Sequence, residues 1–98
     1  MSVMKINDVK NTVIPILKKR KVRRASLFGS LVRSQDTKKS DIDILVELPD
    51  ESTLFDFLAV KDDLEDQLKR RVDLVEYEAI KPQLKHKILS EQLPIYSS

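Results

Sequence analysis

Ser40-Asp41-Ile42-Asp43-Ile44-Leu45-Val46-Glu47-Leu48 is the stretch that decides the fold. Ile42, Ile44, Val46 and Leu48 alternate with Asp41, Asp43, Leu45 and Glu47, the two-residue period of a strand with one face turned to a core. A strand is therefore predicted over Asp41–Leu48, with acids on its second face. Aspartate is depleted in strands, yet Asp41 and Asp43 leave that face together, about 6–7 Å apart along the backbone. Glu47, further along, reads as solvent-facing.

Working outward, Arg23–Phe28 reads as a short strand that stops at the turn Gly29-Ser30. Ahead of it, Ile6, Val9, Val13, Ile16 and Leu17 recur at helical spacing and predict a helix over Ile6–Arg20, with a kink or restart at Pro15. The basic run from Lys18 to Arg24 suits the C-terminal end of that helix. Leu31–Lys39 fits one or two helical turns and an exposed loop. Downstream, Pro49–Ser52 is a loop and cap. A long amphipathic helix follows to Lys69, with Leu54, Phe55, Phe57, Leu58, Leu64 and Leu68 on its apolar face. Both phenylalanines count as core. Arg71–Tyr77 gives another strand, and Pro82 opens a last helix to about Ser90 whose buried stripe is Leu84 and Ile88. Leu93–Tyr96 could add a strand that Pro94 confines to an edge. His86 reads as a surface residue. The pattern is α+β, an α/β sandwich in which a small mixed sheet of three or four strands is covered by helices.

With 98 residues, 41% hydrophobic and 35% charged, the chain is expected to form one domain over residues 1–98. At this size an active site must be shallow. Eighteen basic against sixteen acidic residues leave a net charge of +2, too even for direct nucleic-acid binding to lead. The absence of cysteine removes disulfides, thiolate metal sites and Cys nucleophiles. One histidine leaves little for His-based triads or multi-His metal sites. No signal-like segment and no membrane-length apolar run is present, so a cytoplasmic location is expected. Gly29 is the one glycine where average usage would give about seven. Rossmann and Walker phosphate loops need at least two, so a bound nucleotide would be held by another device.

Two acids on one strand face are often a solvated edge. Their alternative use is a divalent-cation site, because hard cations such as Mg²⁺ take carboxylate oxygens and complete their shell with water and substrate phosphates. A calcium loop is excluded by Leu45, Val46 and Ser52 at the positions that need an oxygen ligand, a glycine and a glutamate. Gly29-Ser30, at a strand-to-helix turn, can offer backbone N–H groups and a hydroxyl to phosphate oxygens.

Taken together, Leu27-Phe28-Gly29-Ser30, ten intervening residues and Asp41-Ile42-Asp43 resemble the G-S-x(10)-D-x-D signature of the DNA-polymerase-β-like nucleotidyltransferases. The short chain, with a helix before the signature and a Val-Asp-Leu-Val strand after it, is similar to the minimal nucleotidyltransferase (MNT) branch. Gly29-Ser30-Leu31-Val32-Arg33-Ser34 keeps the arginine of the family's G-S-x-A-R-G pattern but lacks its alanine and second glycine.

The resemblance implies the polymerase-β-like fold, a third carboxylate at Asp73 and transfer of AMP from ATP with release of pyrophosphate. It implies two Mg²⁺ ions on Asp41, Asp43 and Asp73, and phosphate binding by Gly29 and Ser30. Arg33 would neutralise the triphosphate or brace the loop. As a partner it implies a HEPN-domain toxin encoded nearby, modified on a tyrosine. The rival readings are a binding module that neutralises its partner by occlusion and a small-molecule nucleotidyltransferase, the latter disfavoured by the lack of an acceptor domain.

Overall fold

The computed structural model describes residues 5–29, 31–33 and 41–98. In chain order the elements are α1 (Ile6–Lys19), β1 (Arg24–Phe28), β2 (Ile42–Glu47), α2 (Leu54–Leu68), β3 (Val72–Glu76), α3 (Pro82–Glu91) and β4 (Leu93–Ser97), with a 3₁₀ turn at Tyr77–Ala79 between β3 and α3. The sheet order is β3-β2-β1-β4. β1 runs antiparallel to both β2 and β4, whereas β2 and β3 are parallel. A parallel pair needs a crossover, and α2 supplies it.

One face of the sheet carries the core. Ala25, Leu27, Ile42, Ile44, Val46, Val72 and Leu74 pack there against Val9, Val13 and Leu17 of α1 and Val60, Leu64 and Leu68 of α2, all nearly or fully buried. The alternation predicted for β2 holds at Ile42, Ile44 and Val46. Leu45, placed by register on the opposite face, is also fully buried.

Several expectations are corrected. α1 runs unbroken through Pro15, because Pro15 and Asn11 both stand on the exposed side, where water can satisfy the carbonyl that proline leaves unpaired. The helix ends in a Schellman motif: Lys21 adopts φ 61°, the Val22 amide donates to the Leu17 carbonyl at 3.0 Å, and the Lys21 amide donates to Lys18 at 3.1 Å. α2 is capped by Thr53, whose hydroxyl accepts from the Asp56 amide while the Asp56 carboxylate accepts from the Thr53 amide. Phe55 is not core but 82% exposed, since it lies on the side of α2 away from the sheet. Leu84 is 46% exposed and α3 buries none of its residues, so that helix lies against the domain without a buried stripe. The turns and loop predicted over Leu31–Lys39 fall mostly outside the described residues; Leu31–Arg33 form a turn.

Candidate active site

The register fixes which groups meet. Phe28, the last residue of β1, pairs with Asp43, and on the other side of β2 Asp43 pairs with Asp73 of β3. Paired positions on adjacent strands lie about 4.8 Å apart and share a face, so Asp43 and Asp73 stand side by side. Asp43 is half-buried and Asp73 exposed. Asp41 immediately precedes β2, is exposed, and has its Oδ1 3.9 Å from Nε of Arg71. The Ile42 amide donates to the Arg71 carbonyl at 2.9 Å, which pins the start of β2 to the start of β3.

Gly29 follows Phe28 and turns the chain at φ 77°, buried beneath the Asp43 side chain. A Cβ at this position would lie 2.8 Å from Cγ of Asp43 and closer still to Oδ2. The Arg33 amide donates to the Gly29 carbonyl at 3.1 Å, which ties the Leu31–Arg33 turn back to the glycine. Ser30 lies outside the described residues. Arg33 itself sends Nη1 to Oε1 of Glu91 at 2.9 Å, tying this turn to the end of α3. Glu91, 58 residues away, left no signal in the sequence.

At the other end of the same face the charges are neutralised. Glu47 is half-buried, correcting its expected solvent position: its Oε1 accepts from Nε of Arg24 at 2.7 Å, with Arg23 at 3.8 Å from Oε2. The Arg24 guanidinium stacks over the Tyr77 ring at 4.1 Å, and the Tyr77 hydroxyl is 2.6 Å from that of buried Ser26. Glu47 is thereby separated in role from the acids at Asp41, Asp43 and Asp73. Arg20 is likewise engaged, 2.7 Å from Asp63 of α2, and its guanidinium holds the Asp63 carboxyl below the usual carboxylate range. The basic run thus spends three of its arginines on ion pairs within the fold.

Glu65 of α2 reaches the site's second strand. Its Oε2 accepts from the Val72 amide at 2.8 Å, one residue before Asp73, and this backbone donor, ahead of Lys61, keeps the Glu65 carboxyl below its ordinary value. Sequence pattern offered no sign of this tie.

The fit to a cation rests on donor type. A set made only of carboxylates suits a hard ion such as Mg²⁺ and not a thiolate- or imidazole-bound metal. Among the described residues no three acidic or imidazole side chains stand close enough to hold an ion as they are oriented. Asp41 and Asp73 are exposed, so rotation about their side-chain bonds is unobstructed by packing.

Comparison with known proteins follows the same line. Residues 11–98 match the sequence pattern of the family described as polymerase beta, nucleotidyltransferase. A protein of Methanocaldococcus jannaschii, provisionally named a protein adenylyltransferase, is 45% identical over 92 residues, covering 94% of this chain and 99% of its own. The protein adenylyltransferase MntA of Thermococcus cleftensis is 37% identical over 70 residues, 71% of each chain. Among solved structures, one provisionally assigned as a minimal nucleotidyltransferase superposes with a TM-score of 0.80 at 30% identity, covering 93% of this chain and 96% of that one. A toxin–antitoxin with AMP-PNP gives 0.78 at 24% identity, over 91% and 73%. A tri-AMPylated Shewanella oneidensis HEPN toxin in complex with its MNT antitoxin gives 0.71 at 22%, over 94% and 72%. The last two establish likeness of fold. No described helix is long and apolar enough to cross a membrane.

Proposed function

Since the chain belongs to the polymerase beta nucleotidyltransferase family, we propose that it is a protein adenylyltransferase that acts as an antitoxin, moving AMP from ATP onto a tyrosine hydroxyl of a HEPN-type toxin. The observation that carries this reading is the meeting of three parts at one edge of the sheet: the Gly29 turn, Asp43 packed against it, and Asp73 beside Asp43. The naming of its relatives as protein adenylyltransferases and the AMPylated HEPN partner of a structural neighbour supply the donor and acceptor classes. AMP-PNP in another neighbour supports ATP as the nucleotide.

In this reading the acceptor oxygen attacks the α-phosphorus, the bond from that phosphorus to the bridging oxygen breaks, and pyrophosphate leaves. The acceptor proton passes to the Asp73 carboxylate or to water. The Gly29 turn, with Ser30, holds the outgoing phosphates by backbone and hydroxyl donors. Asp41 and Asp43, with Asp73, would hold Mg²⁺, which when bound neutralises the triphosphate and stabilises charge on the attacking and leaving oxygens. Arg33 braces the turn through Glu91. The acceptor hydroxyl is presented by the partner, as in the neighbour whose HEPN toxin is AMPylated.

The test is incubation with Mg²⁺ and ATP labelled at the α-phosphate, alone and with the HEPN-domain protein, read on a denaturing gel and by pyrophosphate release. Label on the partner that vanishes with Asp41→Asn or Asp43→Asn, at unchanged far-ultraviolet dichroism, is expected. A partner that binds but is never labelled, and is neutralised equally well by the double variant, would replace this reading with occlusion.

A further inference from the structure

Arg71 stands at the carboxylate end of the sheet with no part in the chemistry assigned above. It closes the basic run Lys69-Arg70-Arg71 that leads from α2 into β3. Ile42 and Val72 are register partners, and Asp41 and Arg71 each stand one residue ahead of them. The Ile42 amide donates to the Arg71 carbonyl at 2.9 Å, so the Arg71 backbone is fixed beside Asp41, while its side chain is 87% exposed. Its Nε lies 3.9 Å from Oδ1 of Asp41, whose side chain is 44% exposed. That separation is a loose charge contact, longer than the roughly 2.7–2.9 Å of a charge-assisted hydrogen bond. Among the described residues no three acids converge as they are oriented. Asp41 is thus matched with a cation that the chain itself supplies.

We infer that Arg71 is a positioning residue: it competes with the divalent cation for Asp41 and gives the carboxylate up when nucleotide arrives, so that metal and ATP load together. The inference rests on the reading of Asp41, Asp43 and Asp73 as a Mg²⁺ site for ATP. A fixed positive charge beside a carboxylate weakens its attraction for a second cation. A triphosphate offers the long, exposed Arg71 side chain a more highly charged partner, and guanidinium suits phosphate oxygens. Asp41 is then free to turn toward Asp43. Metal and nucleotide each favour the binding of the other, and this coupling is reciprocal. The solvated setting fits the role, because an exposed pair contributes little to stability and can open at each turnover. A buried, bidentate pair in its place would hold Asp41 against release.

The experiment follows backbone amides of the full chain by NMR during titration with MgCl₂, alone and with α,β-methylene-ATP, which cannot release pyrophosphate. It compares wild type, Arg71→Gln, Arg71→Lys, Lys69→Gln, Asp41→Asn and Asp41→Asn/Arg71→Gln, with amides remote from the site reporting that each fold is kept. Arg71→Gln is expected to bind Mg²⁺ alone about two- to five-fold more tightly, the range an exposed ion pair allows. With Mg²⁺ present it is expected to bind the analogue about three-fold more weakly or worse, so the coupling shrinks. Arg71→Lys keeps a point charge and is expected to match wild type toward Mg²⁺, since the contact uses no fork geometry. In the Asp41→Asn background, Arg71→Gln is expected to change Mg²⁺ affinity no further. Unchanged Mg²⁺ affinity in Arg71→Gln, or a gain that persists without the Asp41 charge, would overturn the competition. An equal gain in Lys69→Gln would assign the effect to the whole basic run and overturn the specific role of Arg71. Tighter Mg²⁺ with an undiminished grip on the analogue would overturn the transfer of Arg71 to nucleotide. Mg²⁺ binding that Asp41→Asn leaves untouched would instead remove Asp41 from the metal site, overturning the reading on which the inference rests.

Discussion

The Asp43 carboxylate occupies the space in which a side chain on Gly29 would have to stand. A positive φ alone does not demand glycine in this chain: Lys21 and Lys69 adopt φ 61° and 58° at the ends of α1 and α2. Gly29, at 77°, adds a second requirement, the absence of a Cβ, and that is where the chain's one glycine stands. Gly29→Ala is expected to cost about 1–2 kcal/mol from backbone strain, with further cost from displacing Asp43. Transfer should fall on the order of 10²-fold, as for any misplacement of about 1 Å at a reacting centre. Thermal melting and labelled-ATP turnover check the two parts separately; full turnover by the alanine variant would show that Asp43 can move without consequence.

Asp73 stands beside Asp43 but on another strand and more exposed, so its loss should separate binding from chemistry. Asp73→Asn is expected to bind ATP with Mg²⁺ nearly as well as wild type and to slow transfer by about 10²–10⁴-fold, the range of a lost proton acceptor. Titration calorimetry with the non-hydrolysable analogue and single-turnover labelling distinguish the outcomes. Equal loss of both would make Asp73 a nucleotide-binding residue only.

Arg33 and Glu91 tie the turn after Gly29 to α3, and both side chains are part-exposed. A pair of this kind contributes about 0–1 kcal/mol to stability, so any large effect on nucleotide binding must come from positioning. Arg33→Ala and Glu91→Ala are each expected to raise the KM for ATP several-fold, and the double variant no further than either single one. Additive effects in that cycle would mean that Arg33 reaches the phosphates without help from Glu91.

The sheet was legible because Ile42, Ile44 and Val46 alternate against acids, and the candidate site stood out because aspartates are depleted in strands and the chain's one glycine falls at the end of β1, where the structure sets it against Asp43. What pattern could not convey is which apolar residues stay outside. Phe55 and Leu84 satisfy a helical spacing as well as Val60 does, but α2 and α3 each turn only part of their apolar surface inward. Strand order was equally silent, since it is set by pairing between segments far apart in the chain. Glu47 shares the face and period of Asp43, and only the arginines that β1 brings opposite it distinguish the two. Glu91 and Glu65 act across 58 and 7 residues on groups that local sequence does not mark.

Glu65 links acid stability to the site, because its carboxylate accepts from the Val72 amide next to Asp73. That donor, followed by Lys61, holds the Glu65 carboxyl below its ordinary value of 4.5. The native state therefore binds the proton less readily than the unfolded chain, and the stabilisation is complete above that ordinary value and lost as pH falls through the depressed native one. Glu65→Gln keeps an acceptor oxygen for Val72 but removes its charge, and is expected to lower stability by about 1 kcal/mol at neutral pH, below the roughly 1.5–3 kcal/mol of hydrogen bonds to charged groups because an acceptor is retained and the side chain is partly solvated. Below the native value wild-type Glu65 is itself neutral, so the difference between the two proteins should close as acid is added. Urea denaturation at a series of pH values between neutrality and strong acid reads that gap directly. A gap unchanged across the series would assign the cost to lost shape or helix propensity and remove Glu65 from the acid response.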